Sequence, residues 1–208
     1  MEKGIEIING KEKEIPKEIF EKALKLRYEI YRKVGFISEN KDKRDYDEYD
    51  DKALHIVALD NNKVVGYLRL IKEMPLLSLY KKEVEEIKEK NKFRNPIEIS
   101  RFVIDEKYRI SERKIIDYDS FVSFLLFKRV YNYILKNKID SVFIVTHPKY
   151  RERYEKFYYF KQYGEEKKYS AVEGNPAILL YQDVKKAFEL GKVKNKDFYK
   201  FMIENEKN

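Results

Sequence analysis

Residues 54–71 read LHIVALDNNKVVGYLRLI, two apolar runs separated by a polar turn at residues 60–63. The runs predict the two strands of a hairpin, at residues 54–60 and 64–71. Because the apolar residues are nearly continuous instead of alternating with polar ones, both faces of these strands must be covered. The hairpin therefore predicts a sheet with helices on both sides.

The segments on either side of the hairpin complete an α/β pattern. Pro16 opens an amphipathic helix that Gly35 ends, and a polar loop follows over residues 36–52. After the hairpin the periodicity predicts, in order, a surface helix (78–91), a strand (96–105), a long helix (118–137), a strand (141–147), a short aromatic helix (148–160), a strand (176–183) and a helical tail. This order favours the α/β (α+β) class, with a mixed, mostly antiparallel sheet flanked by helices.

Length and composition limit the possible classes of protein. The 208 residues, 43% of them hydrophobic, fit one domain, which we expect over residues 1–208. The absence of cysteine excludes disulfides, thiolate metal sites and a cysteine nucleophile. No segment approaches the ~20 apolar residues that cross a bilayer, and the N-terminus has no apolar signal region. We therefore expect a cytoplasmic protein without a transmembrane segment.

The formal net charge of +8 favours an acidic partner, such as nucleic acid, a membrane surface, a phosphorylated cofactor or an acidic protein. Lysines alternate with glutamates along the chain, as in KEVEEIKEKNK at residues 82–92, instead of forming one basic block. A nucleic-acid-binding arm is usually such a block, so we expect no nucleic-acid partner.

Charged residues interrupt the apolar faces of the predicted elements. Arg27 falls on the apolar stripe of the first helix, where an arginine can also simply cover the edge of the core. Arg69 lies in a strand with both faces covered and needs a carboxylate partner. Glu98 and Arg101 interrupt PIEISRFVID and share a face only if a β-bulge lies between them.

The loop over residues 36–52 supplies carboxylates at five positions, 42, 45, 47, 50 and 51. Aspartates in loops are commonly turn formers or helix caps. Together with the arginines and the glutamate they can instead form an internal charged cluster beside a cleft, which proteins tolerate mainly at functional sites.

The sequence pattern does not indicate a catalytic histidine, a metal site or a serine nucleophile. His55 and His147 lie in apolar, strand-like runs and are predicted to be packed residues, so no metal site is expected. Ser100 lacks the glycine elbow of a serine nucleophile. Direct attack by the substrate therefore fits better than a covalent enzyme intermediate.

The blocks LRYEIY (26–31), DEYD (47–50), VVGYLRLI (64–71) and EISRFVI (98–104) resemble the signature of the acyl-homoserine-lactone (autoinducer) synthases, a family with the GNAT fold. The C-terminal part, from VTHPKYRERYEKFYYF at residue 145 to GNPAILL at 174–180, is more similar to the N-acyl amino acid synthases (FeeM-like). The resemblance covers about residues 20–188. It implies a GNAT acyltransferase fold splayed between the strands at 97–104 and 141–147, where pantetheine inserts.

The resemblance also implies roles for individual residues. Glu98 is expected to be the general base, acting through water, and the backbone N–H groups of Phe102 and Val103 are expected to polarise the thioester oxygen. The electrostatic cluster of the family falls on Arg27, Asp47, Asp50, Arg69, Glu98 and Arg101. Its three arginines, paired with Asp47 and Asp50, would hold the carboxylate of the acceptor and shape the cleft.

Two departures from the relatives bear on product and donor. The chain has no tryptophan after the first helix, where autoinducer synthases carry one, although Phe36 is available as an aromatic substitute. Residues 105–120 contain no glycine and so lack the usual amide cradle for the pyrophosphate of coenzyme A. Basic residues suited to the phosphopantetheine of an acidic acyl carrier protein are present there instead, namely Lys107, Arg109, Arg113 and Lys114.

The sequence thus predicts an N-acyltransferase without a bound cofactor, using acyl-ACP (a 4'-phosphopantetheine thioester) or acyl-CoA as donor and an amino acid or similar small amine as acceptor. Three alternatives stay open. The chain could be an acyl-homoserine-lactone synthase, a CoA-dependent acetyltransferase, or a carrier-protein-binding module without activity.

Overall fold

The computed structural model describes residues 4–109, 119–169 and 174–203. The strands are β1 (Glu6–Gly10), β2 (Leu54–Asp60), β3 (Lys63–Ile71), β4 (Pro96–Ile104), β5 (Ser141–Thr146), β6 (Lys161–Tyr169) and β7 (Asn175–Asp183). The helices are α1 (Lys17–Lys33), α2 (Lys81–Asn91), α3 (Asp119–Asn137), α4 (Arg151–Tyr158), α5 (Val184–Lys194) and α6 (Lys196–Ile203). The predicted α/β class is confirmed, and the hairpin lies where the apolar runs placed it.

Three segments differ from the prediction. The helix expected over 78–91 begins only at Lys81, because Pro75–Tyr80 forms a 3₁₀ turn. The strands β1 and β6 were not predicted. Both are edge strands, and their polar residues hide the period-two pattern that identifies a half-buried strand.

The described residues divide into two compact units, one formed by residues 4–71 with 101–109 and 119–131, and the other by residues 72–100 with 132–169 and 174–203. In the first unit β1, β2 and β3 are antiparallel neighbours, and β3 is followed by the C-terminal half of β4. In the second unit the order is β4, β5, β7, β6. Here β4 and β5 are parallel, and β7 is antiparallel to both of its neighbours. The single domain expected from chain length remains a prediction.

Strand β3 is covered on both faces, as the continuous apolar run predicted. A Cβ on Gly66 would lie 2.8 Å from Val122 Cγ1 of α3, so only glycine permits this close approach. The next residue, Tyr67, points to the opposite face, where its ring lies 5.1 Å from the Arg27 guanidinium of α1. Helices of the first unit therefore enclose β3, and Arg69 lies in a buried layer.

In the second unit the hydroxyl of Tyr80 links β6 to β7 where their register is irregular. The pairing shifts between Tyr163 and Lys167, and in this gap the Tyr80 hydroxyl accepts the Lys167 N–H and donates to the Ala177 carbonyl. The ring of Tyr80 also lies 4.5 Å from the Lys167 ammonium. One buried tyrosine thus replaces the missing ladder bonds of a highly charged edge strand.

The parallel register of β4 and β5 runs from Pro96–Ser141 to Glu98–Phe143. The splay expected beyond this point remains a prediction. No helix within the described ranges is long and apolar enough to span a membrane.

Candidate active site

The loop between α1 and β2 presents its aspartates in fixed positions. The Asp45 N–H donates to the Leu24 carbonyl of α1 (3.2 Å), which ties the loop to the helix. The Asp50 carboxylate accepts the Asp47 N–H (2.9 Å), and the Asp47 carboxylate accepts the Tyr49 N–H (3.0 Å). These local bonds orient the carboxylates, as side chains of Asp do in turns.

Arg27 projects from the apolar face of α1 and is completely buried. Its Nε lies 3.0 Å from Asp45 Oδ2, and its Nη1 lies 2.7 Å from Asp50 Oδ1. Nη1 also donates to the Tyr67 hydroxyl at 3.3 Å. The alternative that Arg27 merely covers the edge of the core is therefore wrong, because its charge is paired inside the protein.

Arg69 of β3 has the carboxylate partners that its burial requires. It holds Asp47 with two bonds, Nη1 to Oδ1 at 2.6 Å and Nη2 to Oδ2 at 3.1 Å. Nη1 also lies 2.9 Å from Asp50 Oδ1. Such fork-like pairing suits the planar guanidinium and fixes the orientation of both groups.

Arg101 of β4 completes the group. Its Nη2 donates to Asp47 Oδ2 at 3.0 Å, and its Nε lies 2.9 Å from Asp45 Oδ2. The guanidinium also lies 5.7 Å from the ring of Tyr31 on α1, within range of a cation–π contact. The ring of Phe36 packs against Tyr31 with their centroids 5.9 Å apart.

These contacts form a closed ring of alternating charges in which every aspartate bridges two arginines. Its members, in order, are Arg27, Asp45, Arg101, Asp47, Arg69 and Asp50. We call this set the Arg–Asp ring. Its three positive and three negative charges balance, which compensates for part of the cost of burying them. Only Asp47 and Arg101 are partly exposed, with 25% and 18% of their side-chain surface accessible.

Sequence reasoning missed one member of the ring, Asp45. The loop carries five aspartates, and spacing alone does not distinguish Asp45 from the turn formers beside it. Its position depends on the backbone bond to Leu24, a contact over 21 residues that the sequence pattern does not show.

The pKa values of Asp50, Asp47 and Arg27 are shifted in the direction that keeps these groups ionised at neutral pH. Burial alone would raise the pKa of Asp50, but the charges of Arg27 and Arg69 outweigh burial and lower it to about 2. Burial likewise opposes ionisation of Asp47, and the hydrogen bond and charge of Arg69 with the charge of Arg101 lower its pKa. Burial disfavours the charged form of Arg27, yet the nearby Tyr67, Asp45 and Asp50 raise its pKa.

His55 and Tyr67 support the ring from β2 and β3. His55 Nε2 lies 2.8 Å from the Asp50 carbonyl oxygen, an acceptor, so this nitrogen carries the proton. Nδ1 therefore accepts from the Tyr67 hydroxyl at 2.6 Å. Burial lowers the pKa of His55 to about 4, so its imidazole is neutral at pH 7. His55 is a packed histidine, as predicted.

This burial makes stability depend on pH. The unfolded chain protonates His55 near its ordinary pKa of 6.5, whereas the folded chain does so only near 4, so the unfolded state binds more protons between these values. We expect His55 to lower the free energy of unfolding by roughly 3 kcal/mol between pH 6.5 and pH 4. Other titrating groups add their own contributions to this change. Urea unfolding across this range measures it.

His55→Gln removes the titrating group and keeps a donor for the Asp50 carbonyl, so the variant should lose most of this slope. His147→Gln is the matched control, because His147 is only half-buried and should leave most of the slope in place. An unchanged slope in His55→Gln would contradict the assignment.

Strand β4, which carries the residues predicted to be catalytic, is irregular. Glu98 is completely buried. Arg101, three residues later, has a φ of +53°, a left-handed conformation that interrupts the regular strand geometry. Phe102 packs edge-to-face on Phe127 of α3 with centroids 5.5 Å apart, and Val103 belongs to the core that includes Leu24. The catalytic roles of Glu98, Phe102 and Val103 remain predictions.

The basic residues predicted to contact the acyl donor are only partly within the described residues. Lys107 is exposed, and Arg109 donates from Nε to the Ile104 carbonyl at 2.8 Å. Arg113 and Lys114 lie outside the described residues. Acidic neighbours are present too, since Asp105 Oδ1 accepts the Lys107 N–H. In the part of the chain that the structure describes, no cluster of His, Asp and Glu could hold a metal ion.

Comparison with known structures supports the fold. FeeM, an N-acyl amino acid synthase from uncultured soil microbes, superposes with a TM-score of 0.69 at 19% identity, over 89% of this chain and 93% of FeeM. BjaI, a CoA-dependent acyl-homoserine lactone synthase, has a TM-score of 0.65 at 17% identity, over 90% of this chain and 87% of BjaI. An acyl-CoA N-acyltransferase from Pseudomonas aeruginosa has a TM-score of 0.59 at 14% identity, over 86% of this chain and 99% of that enzyme. The predicted GNAT-type acyltransferase fold is confirmed.

The sequence was also compared with curated proteins and with models of protein families. A search of curated proteins finds no match. The family described as N-acyl amino acid synthase FeeM matches residues 22–183, which include every member of the Arg–Asp ring. The protein is thus an acyltransferase, and the chain belongs to the N-acyl amino acid synthase FeeM family.

Proposed function

We propose that the protein transfers a fatty acyl group from an acyl carrier protein thioester to the amino group of an amino acid or a similar small amine. The amine nitrogen attacks the thioester carbonyl, the carbon–sulfur bond breaks, and the proton lost by the amine restores the leaving thiol. The products are an N-acyl amine and the free phosphopantetheine thiol. Membership of the FeeM family supports the acceptor class.

The observation that carries the proposal is the exposed edge of the Arg–Asp ring. Arg27 and Arg69 are fully buried and held by aspartates, so we assign them, with Asp45 and Asp50, to holding the ring. Arg101 and Asp47 are the partly exposed members, and they carry opposite charges 3.0 Å apart. An amino acid presents a carboxylate and an ammonium group at similar spacing. Arg101 would bind its carboxylate, and Asp47 would attract the ammonium group before deprotonation.

Chemistry at the thioester is assigned to β4. Glu98 would take the ammonium proton, directly or through water, because only the neutral amine attacks. The left-handed backbone at Arg101 changes the direction of the chain just before Phe102 and Val103. Their N–H groups would then stabilise the oxyanion that develops on the thioester oxygen.

For the donor, the sequence of residues 105–120 favours a carrier protein over coenzyme A. No glycine in residues 105–120 is available for a close backbone approach to a pyrophosphate. Lys107 and Arg109, followed by Arg113 and Lys114, offer side-chain charges for one phosphodiester and an acidic protein surface. The second candidate function is that of an acyl-homoserine-lactone synthase. Phe36, whose ring packs against Tyr31, supports it because those enzymes carry an aromatic residue, tryptophan, after the first helix.

Transfer of the same acyl chain from acyl carrier protein is expected to be faster than transfer from coenzyme A at low and moderate salt. The experiment supplies each donor with a mixture of amino acids and identifies the product by mass spectrometry. We expect an N-acyl amino acid as product and a steeper loss of rate with salt for the carrier-protein donor, because charge contacts are screened.

Equal or faster turnover with acyl-CoA would contradict the proposed donor and leave the acceptor intact. An acyl-homoserine lactone, or an acetylated amine, would contradict the proposed acceptor. No product from either donor, with a normal melting curve, would favour a carrier-binding module without activity.

A further inference from the structure

The C-terminal helices α5 and α6 carry an unusual share of the charge of the chain. Residues 184–203 contain six lysines and two acidic residues, a net charge of +4 out of +8 for all 208 residues. All six lysines are exposed, at positions 185, 186, 192, 194, 196 and 200. This basic helix pair is not explained by the acyltransferase site.

An ordinary surface helix of the same unit provides the comparison. Helix α2 contains four lysines and four glutamates, and two of the lysines pair within the helix, Lys88 with Glu85 at 2.9 Å and Lys82 with Glu86 at 3.8 Å. Among the lysines of α5 and α6, Lys186 forms an ion pair within the described residues, with its ammonium 2.8 Å from the Asp183 carboxylate. The charge of α2 is internally balanced, whereas that of α5 and α6 is directed to solvent.

The basic surface also has an apolar centre. Val193 is 85% exposed and stands between Lys192 and Lys194 at the end of α5. A valine this exposed keeps its apolar surface in water and therefore gains little from folding. On α6 the half-buried rings of Phe198 and Phe201 stack with centroids 6.3 Å apart.

The two helices form a fixed platform for these side chains. The Phe188 ring of α5 contacts the Tyr199 ring of α6 edge-to-face, with centroids 5.8 Å apart. Gly191 allows the approach, because a Cβ there would lie 3.0 Å from Tyr199 Cδ2. Met202 is buried as well. The exposed lysines and Val193 are therefore presented by packed helices.

We propose that α5 and α6 dock the protein peripherally on an anionic lipid bilayer. An exposed valine flanked by lysines suits a bilayer surface, because the aliphatic group enters the interface while the lysine stems extend and keep their charges at the phosphates. Nucleic acid offers the same phosphate charge and no apolar layer for Val193. The lipid surface therefore uses both features, and a polyphosphate uses only one.

Binding to vesicles tests the surface independently of any enzymatic activity. The full chain is sedimented with phosphatidylcholine vesicles and with vesicles containing phosphatidylglycerol. We expect binding to the anionic vesicles only, weakened by salt. The Lys192→Gln, Lys194→Gln, Lys196→Gln triple variant should bind roughly 100-fold more weakly, since each lysine near an anionic surface contributes a factor of about five. Val193→Ser should weaken binding about tenfold.

A matched control separates the surface from net charge. The Lys81→Gln, Lys82→Gln, Lys90→Gln variant removes the same three charges from exposed positions of α2 and should bind nearly as well as the unmodified chain. Melting curves confirm that each variant is folded. Equal losses for the two triple variants, or no binding to anionic vesicles at low salt, would overturn the proposal. So would lysine-dependent binding to DNA with no binding to vesicles.

Discussion

Arg69→Ala is expected to lower the free energy of unfolding by roughly 3–5 kcal/mol, because it leaves buried carboxylates without a partner. Asp47 loses its two-bond partner, and Asp50, which is completely buried, loses one of its two guanidiniums. The ring also changes from neutral to a net charge of −1. Urea unfolding at pH 7 measures the loss.

An exposed ion pair provides the control. Lys33 and Glu106 lie 2.7 Å apart with most of their side chains in solvent, and Lys33→Ala should change stability by less than about 1 kcal/mol. Adding Asp50→Asn to Arg69→Ala should restore part of the lost stability, since the second change removes the unpaired charge. A melting temperature of Arg69→Ala equal to that of the unmodified chain would show that the ring does not hold the fold.

The sequence predicted those parts of the fold that hydrophobic pattern controls. Residues 54–71 fixed the hairpin because both faces of β3 are buried, which leaves a continuous apolar run. Strand β6 escaped prediction because five of its nine residues are charged, and its pairing depends on the distant Tyr80 hydroxyl. A hydrogen bond between residues 87 positions apart leaves no periodic signal.

The candidate site was predictable to the extent that a charge in an apolar run requires a partner. Arg27 and Arg69 could be identified in this way, and the structure pairs both with loop aspartates. The charge pattern alone does not choose among the five aspartates. The family resemblance selected Asp47 and Asp50 but missed Asp45, whose position depends on how the loop docks on α1. Arg101, which closes the ring through Asp45, has a left-handed backbone conformation, which is unusual for arginine and leaves no signal in the hydrophobic pattern.

Glu98→Gln is expected to lower the rate of acyl transfer at neutral pH by about 10²–10⁴-fold, the usual range for loss of a positioned general base. Glutamine keeps the size of the side chain while removing the carboxylate that accepts the proton. The fold should therefore stay largely intact. The measurement is a pH–rate profile of the variant beside its thermal unfolding curve.

The pH dependence distinguishes a base from a structural carboxylate. If Glu98 accepts the ammonium proton, raising the pH deprotonates the amine in solution and the rate of Glu98→Gln should climb with pH. If Glu98 instead serves to hold the architecture, the variant should lose stability, and high pH should not rescue its rate. Glu85→Gln on α2, an exposed residue paired with Lys88, controls for the loss of one carboxylate and should keep the full rate. Near-normal turnover of Glu98→Gln at pH 7 would remove Glu98 from the mechanism, and the amine would then have to lose its proton to water or to another group before it attacks.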